Sequence, residues 1–204
     1  MELNPSPPVW ALYTYADYLT SMGRFDEALA INRRAVERDP LSPAGYSGVG
    51  FALMCLERYD QALDQLQKVA HLVPRLGGLE IMFAEAYIFK GRLDEAARHT
   101  EQAESLFREA GDRSWLMDLV WGYAREHRRA DALRVLNQMD ATPVIWKATA
   151  YAGLDQKQKA LDFLEQAYER HEVGMVYIKV RHTFDPVRHD PRFQRLLKRM
   201  NLPE

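Results

Sequence analysis

A phrase near the start of the chain is written twice more, thirty-four residues apart each time. It first reads Gly23-Arg24-Phe25-Asp26-Glu27-Ala28-Leu29 and closes on Asp39-Pro40. It returns as Arg58-Tyr59-Asp60-Gln61-Ala62-Leu63, closed by Pro74, and then as Gly91-Arg92-Leu93-Asp94-Glu95-Ala96. A fixed period of this length is the mark of stacked supersecondary units, each too small to bury its own apolar face. Every copy also has an upstream half: Leu12, Tyr15, Ala16 and Leu19, then Tyr46, Val49, Gly50 and Leu53, then Phe83, Ala84 and Tyr87. Spacings of three and four give one apolar face of a helix. The unit is therefore a pair of helices.

Two small residues recur in register: Ala16, Gly50 and Ala84, and twelve places later Ala28, Ala62 and Ala96. With the thirty-four-residue period and the closing Pro40 and Pro74, this pattern resembles the tetratricopeptide repeat. The resemblance implies an all-α, right-handed superhelix of five helix hairpins, at about 9–42, 43–76, 77–110, 113–141 and 142–171, in one domain. Residues 172–204 then form a degenerate sixth pair with a capping helix. It also implies that the first helix of each unit lines the concave face. On this chain that gives Tyr13 and Asp17, with Trp10 and Thr20, from the first unit, and Phe51 and Met54, with Ser47 and Cys55, from the second. The third gives Ile81, Glu85, Ile88 and Phe89; the later units give Met117, Trp121 and Arg125, and Ile145 with Thr149. The lining is apolar and aromatic, the composition of a partner-binding surface. Family members that clamp the acidic tails of heat-shock chaperones use Lys and Asn in the groove. Tyr13, Asp17 and Gly48 stand in those places, which argues against a carboxylate clamp.

Along the chain, Gly23 and Gly91 suit a left-handed turn between paired helices, whereas Glu57 at the equivalent place predicts strain. Gly77-Gly78 reads as a loop or flexible joint. The third unit lacks a closing proline, so its second helix is expected to run on to Gly111. In the fourth unit Pro143 follows so soon that the second helix should end near Met139-Asp140. Val173 to Val180 is β-branched enough for a strand, but a lone strand among stacked helices has nothing to pair with. A degenerate first helix is expected there, followed by a turn at Pro186. Asp190-Pro191 then reads as an N-cap with proline in the first turn, opening a terminal helix with Phe193, Leu196 and Leu197 inward and Arg192, Arg195, Lys198 and Arg199 outward. Glu2-Leu3-Asn4-Pro5 resembles the end of a preceding unit, as though the chain began inside a longer array.

Chemistry is sparse. The net charge of -2 in 204 residues leaves no field for a dedicated nucleic-acid binder. No metal-ligand spacing, phosphate-cradling loop or nucleophile elbow occurs. Cys55 is the one cysteine and lacks a neighbouring base, so it reads as a packing residue. His182 and His189 around Asp185 read as polar residues of a tail turn. No apolar leader or membrane span is visible, which fits the cytoplasm. The expectation is a non-enzymatic scaffold without cofactor or metal, binding a protein or peptide partner in an apolar groove, with no nucleic-acid or membrane partner. The 160–203 stretch resembles the end of repeat arrays in bacterial multidomain regulators. A ligand-sensing regulatory module of such a protein, or a self-assembling array, are therefore the alternatives. Coverage of the groove by the chain's own C-terminal segment competes with partner binding.

Overall fold

The computed structural model describes residues 7–140 and 142–202, and these are helical throughout, with no strand. The Glu2-Leu3-Asn4-Pro5 reading lies outside the described residues. Five antiparallel hairpins follow one another: α1 (Val9–Ser21) with α2 (Phe25–Arg38), α3 (Pro43–Cys55) with α4 (Tyr59–Leu72), and α5 (Gly77–Phe89) with α6 (Leu93–Ala110). They continue with α7 (Leu116–Arg125) and α8 (Arg129–Leu136), then α9 (Val144–Gly153) and α10 (Lys157–Glu169). Each hairpin packs on the next, and the odd-numbered helices form the inner wall of a right-handed superhelix. No helix among the described residues is long and apolar enough to cross a membrane.

The small residues sit where paired helices cross. Ala28, Ala62, Ala96, Ala132 and Ala160, one per hairpin, have no exposed surface. Facing them are Ala16, Ala84 and Ala148, all buried, and Gly50, where an added Cβ would stand 3.0 Å from Leu66. The helix axes are close because nothing larger than a methyl group separates them. Tyr15, expected on the buried face of α1, is instead 46% exposed beside Tyr18. Leu12, Ala16 and Leu19 suffice to cover α2.

All five hairpins turn in the same way. One residue takes a left-handed backbone: Gly23, Glu57, Gly91, His127 and Asp155, with φ between 58° and 77°. The next amide donates to a carbonyl in the last turn of the helix just ended, Arg24 N to Leu19 O and likewise Arg58 to Leu53, Arg92 to Tyr87, Arg128 to Tyr123 and Gln156 to Tyr151. That six-to-one bond satisfies a carbonyl the helix would otherwise leave open. Three of the turns hold the conformation without glycine, so the strain expected at Glu57 is present and is shared by His127 and Asp155. Arg92 and Arg128 fold back over the rings of Tyr87 and Tyr123, at 4.8 and 4.7 Å.

Gly77 and Gly78 form the first turn of α5, not a loose joint. A Cβ on Gly77 would lie 2.4 Å from the Phe107 ring, and one on Gly78 would lie 2.8 Å from Trp115. These two rings stack on each other at 5.8 Å and need bare backbone beneath them. α6 runs to Ala110 and ends on Gly111 at φ 65°, as the missing proline predicts.

Beyond α10 the repeat becomes a strap. Glu172 accepts from the amides of Val144 and Ile145 at 3.0 and 2.8 Å, capping α9. The chain then forms two 3-10 turns, Val173–Tyr177 and His182–Val187, in place of the expected degenerate α-helix. Pro186 sits inside the second, where its fixed φ is tolerated, and does not break it. Met175, Ile178, Phe184 and Val187 are buried in one core with Ile145, Leu161 and Leu164. Arg188 holds the strap folded by donating to Asp185 at 2.6 and 2.9 Å and to the Arg181 carbonyl at 3.1 Å. α11 (Pro191–Arg199) closes the stack: Asp190 accepts from the Arg192 amide, and Phe193 and Leu196 cover α10. Of its expected basic outer face, Arg192 pairs with Glu165 and Asp162, and Arg199 lies over Tyr168.

Candidate functional site

The inner helices bring residues from all five hairpins around one hollow, because the superhelix curls until the first hairpin faces the fifth. The strap crosses that hollow. At its midpoint it reaches the first hairpin turn, where a Cβ on Gly23 would stand 3.9 Å from Lys179 and 4.0 Å from Val180. Two spaces remain. The larger, about 590 Å³, is walled by Tyr13, Asp17, Phe51, Ile81, Glu85, Met117, Asp118 and Ile145 from the repeats and by Tyr177, Arg181 and Phe184 from the strap. The smaller, about 40 Å³, lies behind the strap between Met54, Cys55, Ile88 and Trp121 on one side and Val180 to Thr183 on the other. It has room for a few water molecules at most; the larger one is the size of a small-molecule or side-chain pocket.

Ten of the twelve residues expected on the concave wall therefore line these two spaces. Phe89 stands beside them at the end of α5. Its ring is tilted on Trp121 at 5.8 Å, stacked on Tyr59 at 5.4 Å and met edge-on by His182 at 4.9 Å. Arg125 is exposed in a separate depression with Gly91 and Asp155. Trp10, named with the first unit, is 68% exposed and lines neither space. Asp118 and the strap residues Tyr177, Arg181 and Phe184 line the hollow without having been expected there. Asp118 precedes Trp121 by three and shares its helix face, a signal present in the spacing.

The charged groups of the hollow are few and poorly matched. Arg181 donates to Asp118 Oδ1 at 3.2 Å and lies 3.8 Å from the Met117 sulfur. Asp118 is 9% exposed, and its Oδ2 is buried with no hydrogen-bond partner among the described residues. Burial raises the Asp118 carboxyl above the ordinary range, and Arg181 pulls it partly back. Glu85 projects from α5 into both spaces and makes no hydrogen bond or ion pair among the described residues. Loss of hydration pushes its carboxyl up to about 7, with Asp118 adding to the rise and Arg181 and His182 opposing it. At the mouth, partial burial raises Asp17 as well. Cys55 is pushed up to about 12 by burial, with Glu85 contributing, which leaves it a thiol and not a nucleophile. Among the described residues no group of three His, Cys, Asp or Glu could hold a metal ion. His182 instead meets Asp185 at 3.4 Å.

Comparison with known proteins bears on the fold. The tetratricopeptide repeat profile matches residues 11–40. No curated protein matches the sequence at a significant level. Among solved structures, a thermophilic TPR protein of Thermus thermophilus superposes with a TM-score of 0.64 at 20% identity, covering 87% of this chain and 99% of that one. A chain of the APC/C hetero-tetramer Cut9–Hcn1 superposes with a TM-score of 0.59 at 14% identity, over 94% of this chain and 42% of that chain. At such identities the likeness is one of architecture.

Proposed function

We propose that this chain, whose residues 11–40 match the tetratricopeptide repeat and whose hairpins stack in the same way, is a non-catalytic interaction scaffold that seats an apolar segment of a partner protein in its concave hollow. The observation that carries this reading is the cavity of about 590 Å³ left open on the inner wall after the chain's own strap has taken part of the groove. A fold that can fill its centre with its own tail, and fills only part of it, retains a concave apolar surface of the kind partners use. The strap also makes the cavity rigid. Ile178 and Phe184 of the strap are buried in the core with Ile145, Leu161 and Leu164, so little ordering of that wall is needed when a guest arrives.

Phe51 and Met117 are half-buried on the cavity wall and are better probes than Trp121, which is 7% exposed and packs against Gly153. Phe51→Ala with Met117→Ala is expected to leave the helical content intact and to reduce partner recovery from cell extract at least ten-fold. Tyr15→Ala, on the outer face, should change nothing. Equal recovery by the cavity variant overturns the proposal.

A further inference from the structure

We infer that the hollow is a site for an organic cation: an ammonium or guanidinium group carried on an apolar stem, with Glu85 and Asp118 receiving the charge. The inference rests on reading the concave cavity as a binding surface and specifies what the guest must carry there.

Four charged side chains face the larger cavity. Among the described residues, Asp17 comes from α1, Glu85 from α5 and Asp118 from α7, and Arg181 of the strap is the one cation of this lining. With all four groups ionised, this lining is two charges short of neutrality. Arg181 is committed to Asp118 Oδ1. That leaves Asp118 Oδ2 buried without a partner and Glu85 without any hydrogen bond among the described residues, deep in the wall yet still reached by solvent through the cavity. A buried polar atom left open in a well-packed wall is costly unless something completes it. An anion would meet three carboxylates, and a guest without hydrogen-bond donors would leave the open oxygens of Glu85 and Asp118 unanswered. A cation answers them. The wall also carries Phe51, Ile81, Met117 and Tyr177 among neutral polar groups such as Asn32 and Thr149, and these apolar and aromatic side chains suit a hydrocarbon stem and the face-on approach of a cation to a ring. Arg181 already shows the arrangement from within: the strap brings a guanidinium across the hollow, beside the Met117 sulfur and onto Asp118.

Protonation supplies an independent readout. Groups around Glu85 are Asp17 and Tyr13 on α1, Cys55 on α3, Tyr59 on α4, Asp118 on α7, and Tyr177, Arg181, His182 and Asp185 in the strap. With Glu85 near half-ionised at about pH 7, a docking cation draws off its proton, so binding strengthens as pH rises from about 6 to about 8.

The test uses the full chain and calorimetry with 4-phenylbutylamine, its neutral counterpart 4-phenylbutanol, and two blocked peptides of apolar residues that differ in one central lysine or norleucine. The amine should bind at least ten-fold more tightly than the alcohol. Its binding should release about half a proton near pH 7, measured as a dependence on buffer ionisation heat. Glu85→Gln should abolish both the preference and the proton release, whereas Tyr15→Ala, on the outer face, should leave both unchanged. Asp118→Asn should weaken the preference in the same direction. Lysine-peptide binding assigns the cation to a partner's side chain; amine binding without peptide binding keeps the cation site and overturns the peptide reading. If amine and alcohol bind alike, or Glu85→Gln is without effect, the inference falls while binding of either peptide leaves the scaffold standing. Failure of every probe to bind overturns both.

Discussion

At the scale of single residues, the five hairpin turns form a series that separates backbone strain from packing. Gly23 and Gly91 take the left-handed conformation freely, whereas Glu57 and His127 hold it at φ 59° and 62° against a cost of about 1–2 kcal/mol. Glu57→Gly and His127→Gly should each stabilise the protein by about 0.5–1 kcal/mol after the added flexibility of the unfolded chain is subtracted. Melting temperature would rise by roughly 1–4 °C. Asp155→Gly should gain less, because a short polar side chain tolerates this region better; a gain equal to Glu57's would mean that the turns are not the source. Glu85 provides the pH counterpart. Its carboxyl holds a proton more tightly folded than unfolded, so the folded state binds more protons between about 4.5 and about 7, and stability falls as pH rises through that window and levels above it. Thermal melts of Glu85→Gln should match the wild type near pH 4 and exceed it near pH 8 by on the order of 1–3 kcal/mol.

At the scale of elements, the start of α5 shows what a sequence can and cannot disclose. The recurring alanines reveal the crossings because the same constraint repeats in every unit, and all five prove fully buried. Gly77-Gly78 occurs once and suggests a joint, since glycine advertises freedom; the reason for it is Phe107 and Trp115, thirty or more residues away. Gly77→Ala should destabilise by about 1–3 kcal/mol through overpacking, although alanine is the better helix former. Adding Phe107→Leu should return part of the loss in a double-mutant cycle read by urea unfolding. Additive losses would show that the ring is not the obstacle. The strap was hidden for a similar reason. Val173 to Val180 has no period to read, and its conformation is set by Glu172 on α9, by buried Ile178 and by Arg181 on Asp118, a contact between residues sixty-three apart. Propensity alone pointed to a strand and topology to a helix; distant contacts chose two 3-10 turns. The inner-wall residues were legible because hairpin geometry fixes them, but the charge imbalance of the cavity was not, since Arg181 and Asp118 come together only in three dimensions.

At the scale of the whole molecule, the strap changes how the array should unfold. Repeats that touch only their neighbours melt piecemeal, with stability a sum of local contributions. Here residues 172–190 link α9 and α10 to the first hairpin turn and reach the space beside the end of α3 across the hollow. With Trp10, Trp115 and Trp121 replaced by Phe so that Trp146 of the fifth hairpin reports alone, urea unfolding of the full chain should therefore give coincident transitions by circular dichroism and by fluorescence. A chain ending at His171 loses the α9 cap and exposes Leu161 and Leu164. Its Trp146 transition should move on the order of 1 M urea below the loss of helix. Coincident transitions in the shortened chain would show that the strap does not couple the ends.

An ordinary helical solenoid behaves as a spring, changing pitch to admit guests of different girth. A spring with a chord tied across its bore cannot lengthen without first letting go of the chord. The crossing strap thus fixes the calibre of the opening, so that this protein should select its guest by size as well as by charge, and pulling its termini apart should meet one abrupt release before the coils extend.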